Sequence, residues 1–237
     1  MEKGLNELVE KLKQAAGGSL KSVVLYGSAA SGEFQPKHSD LNVLCVLERI
    51  NAAELGKLSR AAAWWVGKGH PAPLVFTIDE VHHSADVFSI ELLDIKASHR
   101  VLYGEDFFAS LEVPMSLHRE QVERELRTNL IRLRQAYLAA PQKTATLERL
   151  MNTSVSTFTA LFRHALIVLG EQPTQSKRAA VDRLSALLGF DASPFHVVLD
   201  ARDGKRGQAD AFRTFDAYLA AVTRATEEMD RRLAAAR

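Results

Sequence analysis

Gly27 and Ser28, with Asp40 and Asn42 farther along, are the residues of this chain whose types and spacing could do chemistry. A Gly-Ser turn at a helix start presents backbone N–H groups and a hydroxyl, which together seat a phosphate. A carboxylate on a neighbouring strand could then hold Mg²⁺ against that phosphate. The local sequence supplies the elements such an arrangement needs. Val23, Val24, Leu25 and Tyr26 form a brief β-favouring run, Gly27-Ser28 ends it, and a second apolar run starts at Leu41. Residues 23–47 therefore read as strand, Gly-Ser turn, short helix, loop, and a second strand opening on Asp40. Ala29 and Ala30 keep the helix start slim, so a phosphate could approach the backbone. The pleat of the second strand puts Asp40, Asn42, Leu44 and Val46 on one face, so positions 40 and 42 point the same way, as a metal pair must.

On these residues the chain resembles the nucleotidyltransferase superfamily related to DNA polymerase β, which includes the kanamycin nucleotidyltransferases and the small MNT-type proteins. The matching residues are Gly27-Ser28 and Ser39-Asp40-Leu41. That family carries Asp-x-Asp on the second strand and a third carboxylate on a later one. Here the second metal position is Asn42, and Leu74, in the strand expected over residues 73–78, falls where the third carboxylate belongs. Where the family helix usually carries Arg-Gly, this chain has Ser31-Gly32. The resemblance implies an NTP with Mg²⁺ as ligands, Gly27 and Ser28 as nucleotide-binding residues, Asp40 as the catalytic metal ligand of an active enzyme, and Asn42 as a degenerate metal ligand. In the kanamycin-type relatives a helical domain faces the nucleotide cleft, which implies that Arg163 and His164 line it. The competing reading of Arg163 is an ion pair with a carboxylate between helices.

Nucleotidyl transfer uses two Mg²⁺ ions about 3.5–4 Å apart, which hold the attacking oxygen and the leaving pyrophosphate. Hard Mg²⁺ prefers anionic oxygen. Asn42 offers a neutral carbonyl oxygen and Leu74 offers nothing, so the expected function is nucleotide binding or scaffolding by a degenerate site, a pseudoenzyme with weak or no catalysis. The alternative is an active Mg-dependent enzyme moving NMP from NTP to a hydroxyl of a small molecule or protein. A second alternative is a helical interaction module, an antitoxin-like partner protein or a homo-oligomer, for which an exposed apolar patch on the last helix would speak.

The 237 residues allow one large or two modest domains, and 46% hydrophobic with 25% charged residues is ordinary for a globular chain. A net charge of +1 gives no overall electrostatic case for nucleic acid. The single cysteine, Cys45, rules out an internal disulfide, fits a cytoplasmic location and reads as core packing. No signal peptide is expected, because Glu2, Glu7 and Glu10 stand among lysines at the start. No membrane span is expected either, because Arg163 and His164 interrupt the most apolar helix.

The expected fold class is an α+β nucleotidyltransferase-like domain over residues 1–113, a small mixed sheet flanked by helices, followed by an all-α helical bundle over 114–237. Leu5, Leu8, Val9 and Leu12 follow the spacing of one helix face, which Gly17-Gly18 ends. Residues 51–65 read as a second helix capped by Asn51, and residues 79–84, 88–98 and 100–103 as a helical turn, a short helix and an extended piece. Four helices are expected after Pro114, over 116–139, 144–169, 176–188 and 208–236. Other polar residues read as structural: Glu91 and Asp94 as surface, His82-His83 as surface or capping residues, and His70 as loop. Arg119, Arg124, Arg127, Arg132 and Arg134 alternate with glutamates and read as a solvated helix face.

Overall fold

A computed structural model describes the chain except residues 33–39, 141–142, 175, 206–209 and 236–237. The expected loop, with its Gln35, Pro36, Lys37, His38 and Ser39, lies outside the described residues. The chain divides into two compact units, Met1–Leu117 and His118–Arg237.

The first unit is built on a four-stranded mixed sheet of order β3-β2-β1-β4. It opens with helix α1 (Glu2–Ala16), whose Leu5, Leu8, Val9 and Leu12 are buried along one face. Gly17, at φ +53°, ends it in a conformation that other residues rarely adopt. Strand β1 (Leu20–Tyr26) pairs antiparallel with β2 (Asn42–Leu47) and with β4 (His99–Gly104), while β2 pairs parallel with β3 (Leu74–Thr77). Between β2 and β3 lies helix α2 (Ala52–Val66), capped by Asn51 Oδ1, which accepts the Glu54 N–H at 2.9 Å. A capping box of Thr77 and Glu80 starts α3 (Ile78–His83), and α4 (Ser89–Ala97) follows. The last strand needs its terminal glycine. Gly104 has φ +79°, and a Cβ there would lie 1.9 Å from the Lys21 carbonyl oxygen.

Alternation along the strands divides the core in two. Val23, Leu25, Val43, Cys45 and Leu47 pack with α1, α2 and Trp65. Val24, Leu44 and Val46 pack with Val81 of α3, Leu92 and Ile95 of α4, and Phe108 and Leu111 beyond β4.

The second unit is helical: α5 (His118–Ala139), α6 (Thr144–Val168), α7 (Lys177–Leu188), α8 (Ser193–Arg202) and α9 (Ala211–Ala235). Its centre is aromatic, with Phe158, Phe162, Phe195 and Tyr218 fully buried and in ring contact. Among the described residues one helix exceeds the four expected. α8 begins with Pro194 in its first turn, where a missing N–H does no harm, and the short stretch after Gly189 hides this start signal behind turn residues. The apolar face of α9, including Phe215, Tyr218, Val222 and Met229, is buried in its own unit, which leaves Phe212 as the exposed large apolar residue on that helix among the described residues. The arginines of α5 also depart from a purely solvated face: Arg127 pairs with Asp230, Arg134 donates to Thr223 Oγ1 at 3.2 Å, and Arg119 donates to the Leu233 carbonyl. Among the described residues, no helix is long and apolar enough to cross a membrane.

Candidate nucleotide site

The antiparallel ladder between β1 and β2 ends on the pair Tyr26 and Asn42. Gly27 follows at once with φ +76°, and a Cβ on it would lie 3.2 Å from Asn42 Nδ2. The positive φ favours glycine here, and a Cβ would in addition press on that amide. The backbone then makes one 3-10 turn, Gly27–Ala29, with the Ala30 and Ser31 N–H groups donating to the Gly27 carbonyl at 2.9 and 3.1 Å. The short helix expected after Gly-Ser is thus a single turn among the described residues. Ser31 Oγ donates to the Ser28 carbonyl at 3.3 Å, a side-chain bond that competes with helix propagation, and Gly32 leaves the turn at φ +78°. The N–H groups of Ser28 and Ala29 open this turn, so the internal ladder does not use them.

Asp40 is exposed, and β2 begins two residues later, at Asn42. Between them Leu41 is buried toward α1 and α2, and its N–H donates to His70 Nδ1 at 3.5 Å. Asn42 and Leu44 face the other way. The parallel register pairs Leu44 with Leu74, so Leu74 shares their face. Leu74 is 43% exposed, whereas Leu44 is fully buried. Tyr26 is half-buried on this face, and burial pushes its phenol above the ordinary tyrosine range. The end of the sheet that follows Gly27 therefore joins a glycine turn, an amide, a phenol-bearing strand end and a partly open leucine. The exposed carboxylate of Asp40 lies next to it in sequence. Among the described residues there is no group of three or more His, Cys, Asp or Glu side chains able to hold a metal ion. The oxygen donors along this stretch are Asp40, a carboxylate, and Asn42, a neutral amide.

Arg163 and His164 lie on α6 in the helical unit. Arg163 is half-buried, and His164 is buried with its ring edge-on to His118 at 5.1 Å. His82 and His83 are exposed at the end of α3, as the sequence implies. His70 lies in a loop, as expected, and its ring also packs at a tilt against Trp65, with centroids 4.3 Å apart. The adjacent tryptophans before a Gly-Lys-Gly-His stretch were the available signal for that contact.

Residues 5–92 match the nucleotidyltransferase domain family. That match lies within the α+β unit, which comes first, with the helical unit after it. Among solved structures, the spectinomycin adenyltransferase of Enterococcus faecialis, crystallised with ATP and spectinomycin, is similar over 97% of this chain and 99% of its own, with a TM-score of 0.62 and 13% identity. At that identity the likeness is one of fold. A toxin–antitoxin structure with AMP-PNP covers 52% of this chain and 94% of its own at 12% identity, with a TM-score of 0.32. No curated protein matches the sequence.

Proposed function

We propose that this protein binds a nucleoside triphosphate at Gly27, Ser28 and Asp40, and that its metal site is too degenerate for ordinary two-metal nucleotidyl transfer. The observation that carries this reading is the strand register. Asn42 and Leu74 share one sheet face beside the Gly27 turn, where the family resemblance calls for carboxylates. A neutral amide and a hydrocarbon remove two negative charges from that face. Mg²⁺ is commonly held by one or two carboxylates plus substrate phosphates, so Asp40 with the triphosphate suffices for one ion. It does not suffice for the pair of ions that clamps both the attacking and the leaving oxygen.

The glycine turn supports the phosphate half of the reading. Its slim backbone, the opening N–H groups of Ser28 and Ala29, and the Ser28 hydroxyl are the donors a phosphate needs. ATP is the first nucleotide to test, because the spectinomycin adenyltransferase similar in fold was crystallised with it. Buried Cys45, the single cysteine, suits a reducing cytoplasmic setting. Calorimetric titration of ATP with and without Mg²⁺ tests the proposal. The expected result is binding that Asp40→Ala weakens in Mg²⁺, with no label transferred from ATP to small hydroxyl compounds or protein. Absence of binding by any nucleotide removes the pocket. Label transfer that disappears in Asp40→Ala instead makes the protein an active enzyme.

A further inference from the structure

Behind the candidate site, on the opposite side of the sheet, Leu41 forms part of a second concavity. It measures about 470 Å³ and is lined by Lys3, Gly4, Glu7, Trp64, Trp65, Lys68 and His70 with Met1. That volume falls within the range of small-molecule pockets, roughly 300–1,000 Å³. We propose that this hollow is a binding site for a planar aromatic anion, an aryl ring carrying one carboxylate or phosphate group.

Three features argue for that ligand chemistry. The walls are aromatic: the Trp64 and Trp65 rings lie 6.2 Å apart at an interplanar angle of 29°, and the His70 ring packs at a tilt against Trp65. Flat rings of this kind prefer offset or edge contacts with another flat ring. The charge balance is positive. Glu7 is paired with Lys11 at 3.5 Å, whereas among the described residues no carboxylate is recorded against Lys3 or Lys68. Lys68 instead stands over the Trp64 ring at 5.5 Å, at the mouth of the aromatic wall. The third feature is a buried donor. Trp65 is 1% exposed and its indole N–H meets no acceptor among the described residues, although the side chain lines the hollow. A buried N–H of this kind is ordinarily paired, and a small shift of the hollow's wall would let the oxygen of an anionic ligand serve as its acceptor. His70 adds a further donor. Its Nδ1 accepts the Leu41 N–H, which leaves the proton of the neutral ring on Nε2.

Gly4 keeps the hollow open. It sits inside α1 without a positive φ, so the backbone does not require glycine there, and a Cβ would stand 3.9 Å from the Trp65 ring. A larger side chain would therefore project into the space while favouring the helix. Gly4→Leu is accordingly a plug that leaves the fold intact.

The test is calorimetry at neutral pH with 2-naphthoate and 2-naphthyl phosphate as anionic probes, neutral 2-naphthol, and cationic 2-naphthylmethylamine. At least one anion should bind tenfold or more tightly than the amine, and the relative affinity of the two anions separates a carboxylate from a phosphate source. Gly4→Leu should reduce that affinity at least tenfold with unchanged circular dichroism, and Lys68→Glu at least threefold. Saturating ATP and Asp40→Ala should each leave it within twofold, so this site stands or falls separately from the nucleotide proposal. The proposal is overturned if no naphthyl compound binds, if the amine binds as well as the anions, if Gly4→Leu binds like the parent protein, or if ATP displaces the probe.

Discussion

The two faces of the sheet are made of the same residue types and finished differently. On the face toward α1 and α2, Val23, Leu25, Val43, Cys45 and Leu47 of the two central strands are sealed from one end to the other, while Val75, Leu102 and Tyr103 of the edge strands are partly buried. On the face toward α3 and α4, Val24, Leu44 and Val46 are equally sealed, but Tyr26, Asn42 and Leu74 are not. In the central strands the gap lies at the end where the chain leaves β1 through Gly27, at the pair Tyr26 and Asn42. Continuous burial along the central strands is what a sheet needs to bury its pleat; an opening in those strands at one end of one face leaves room for a ligand beside the glycine turn. The first face teaches what stability alone requires, and the second shows where that requirement stops.

The largest effect should separate Leu44 from Leu74, which are paired across β2 and β3. Leu44→Ala removes a fully buried side chain and should lower stability by about 2–5 kcal/mol. Leu74→Ala, at a partly exposed position, should cost about 0.5 kcal/mol or less. Urea midpoints of the two variants measure this directly. Equal losses would mean that the second face is closed in solution, and the comparison would break.

Gly27→Ala comes next. It places a Cβ 3.2 Å from Asn42 Nδ2 and holds a Cβ-bearing residue at the positive φ that glycine has here, at about 1–2 kcal/mol. The same change should abolish ATP binding, because the turn must shift away from the strand end. Retention of full ATP affinity would detach the nucleotide from this turn.

A smaller change sharpens the chemistry of the open end. Asn42→Asp combined with Leu74→Asp restores two negative charges on one face. Mg²⁺ should then raise ATP affinity about tenfold over its effect on the parent chain, equivalent to about 1.4 kcal/mol. Thermal scans with Mg²⁺ alone should also show a stabilisation that the parent chain lacks. If the double variant responds to Mg²⁺ no more than the parent, the missing charges are not what limits the site.

Much of this contrast is legible in the sequence, and the illegible part has physical causes. Alternation in 41–47 gives the two faces, because a strand's side-chain period is fixed by its pleat. Helical spacing gives α1, α5, α6 and α9, each with an apolar stripe long enough to read. It does not give α8, a short helix with a low amphipathic bias, nor the single turn that stands after Gly27 among the described residues, where the Ser31 hydroxyl donates to the Ser28 carbonyl. The positions of Gly27, Asn42 and Leu74 relative to one another follow from strand pairing. The hollow around Trp64, Trp65 and His70 does not, since it joins residues from α1, the end of α2 and the lead-in to β2. Such a meeting of separate segments leaves no periodic trace in the chain.

The smallest effect concerns how the second face is fastened at its closed part. Phe108, fully buried in that core, follows a turn made by Asp106, whose Oδ1 accepts the N–H groups of Phe108 and Ala109 at 3.0 Å each. His99 Nε2 lies 2.9 Å from the same oxygen. Burial pushes the Asp106 carboxyl up, but the backbone N–H groups of Ala109 and Phe108 and the His99 ring outweigh it and hold it below the usual carboxylate range. A depressed folded-state pKa contributes stability that is fully present above the unfolded value, about 3.9, and is lost as pH falls through the folded value. Asp106 is 39% exposed in its side chain, so solvent screening limits the contribution to below about 1 kcal/mol. Urea midpoints of the parent chain and Asp106→Ala, measured from pH 6 down to pH 2, should differ at the upper end and converge at the lower. A difference that persists undiminished at pH 2 would assign the turn to packing of Phe108 rather than to the ionised carboxylate.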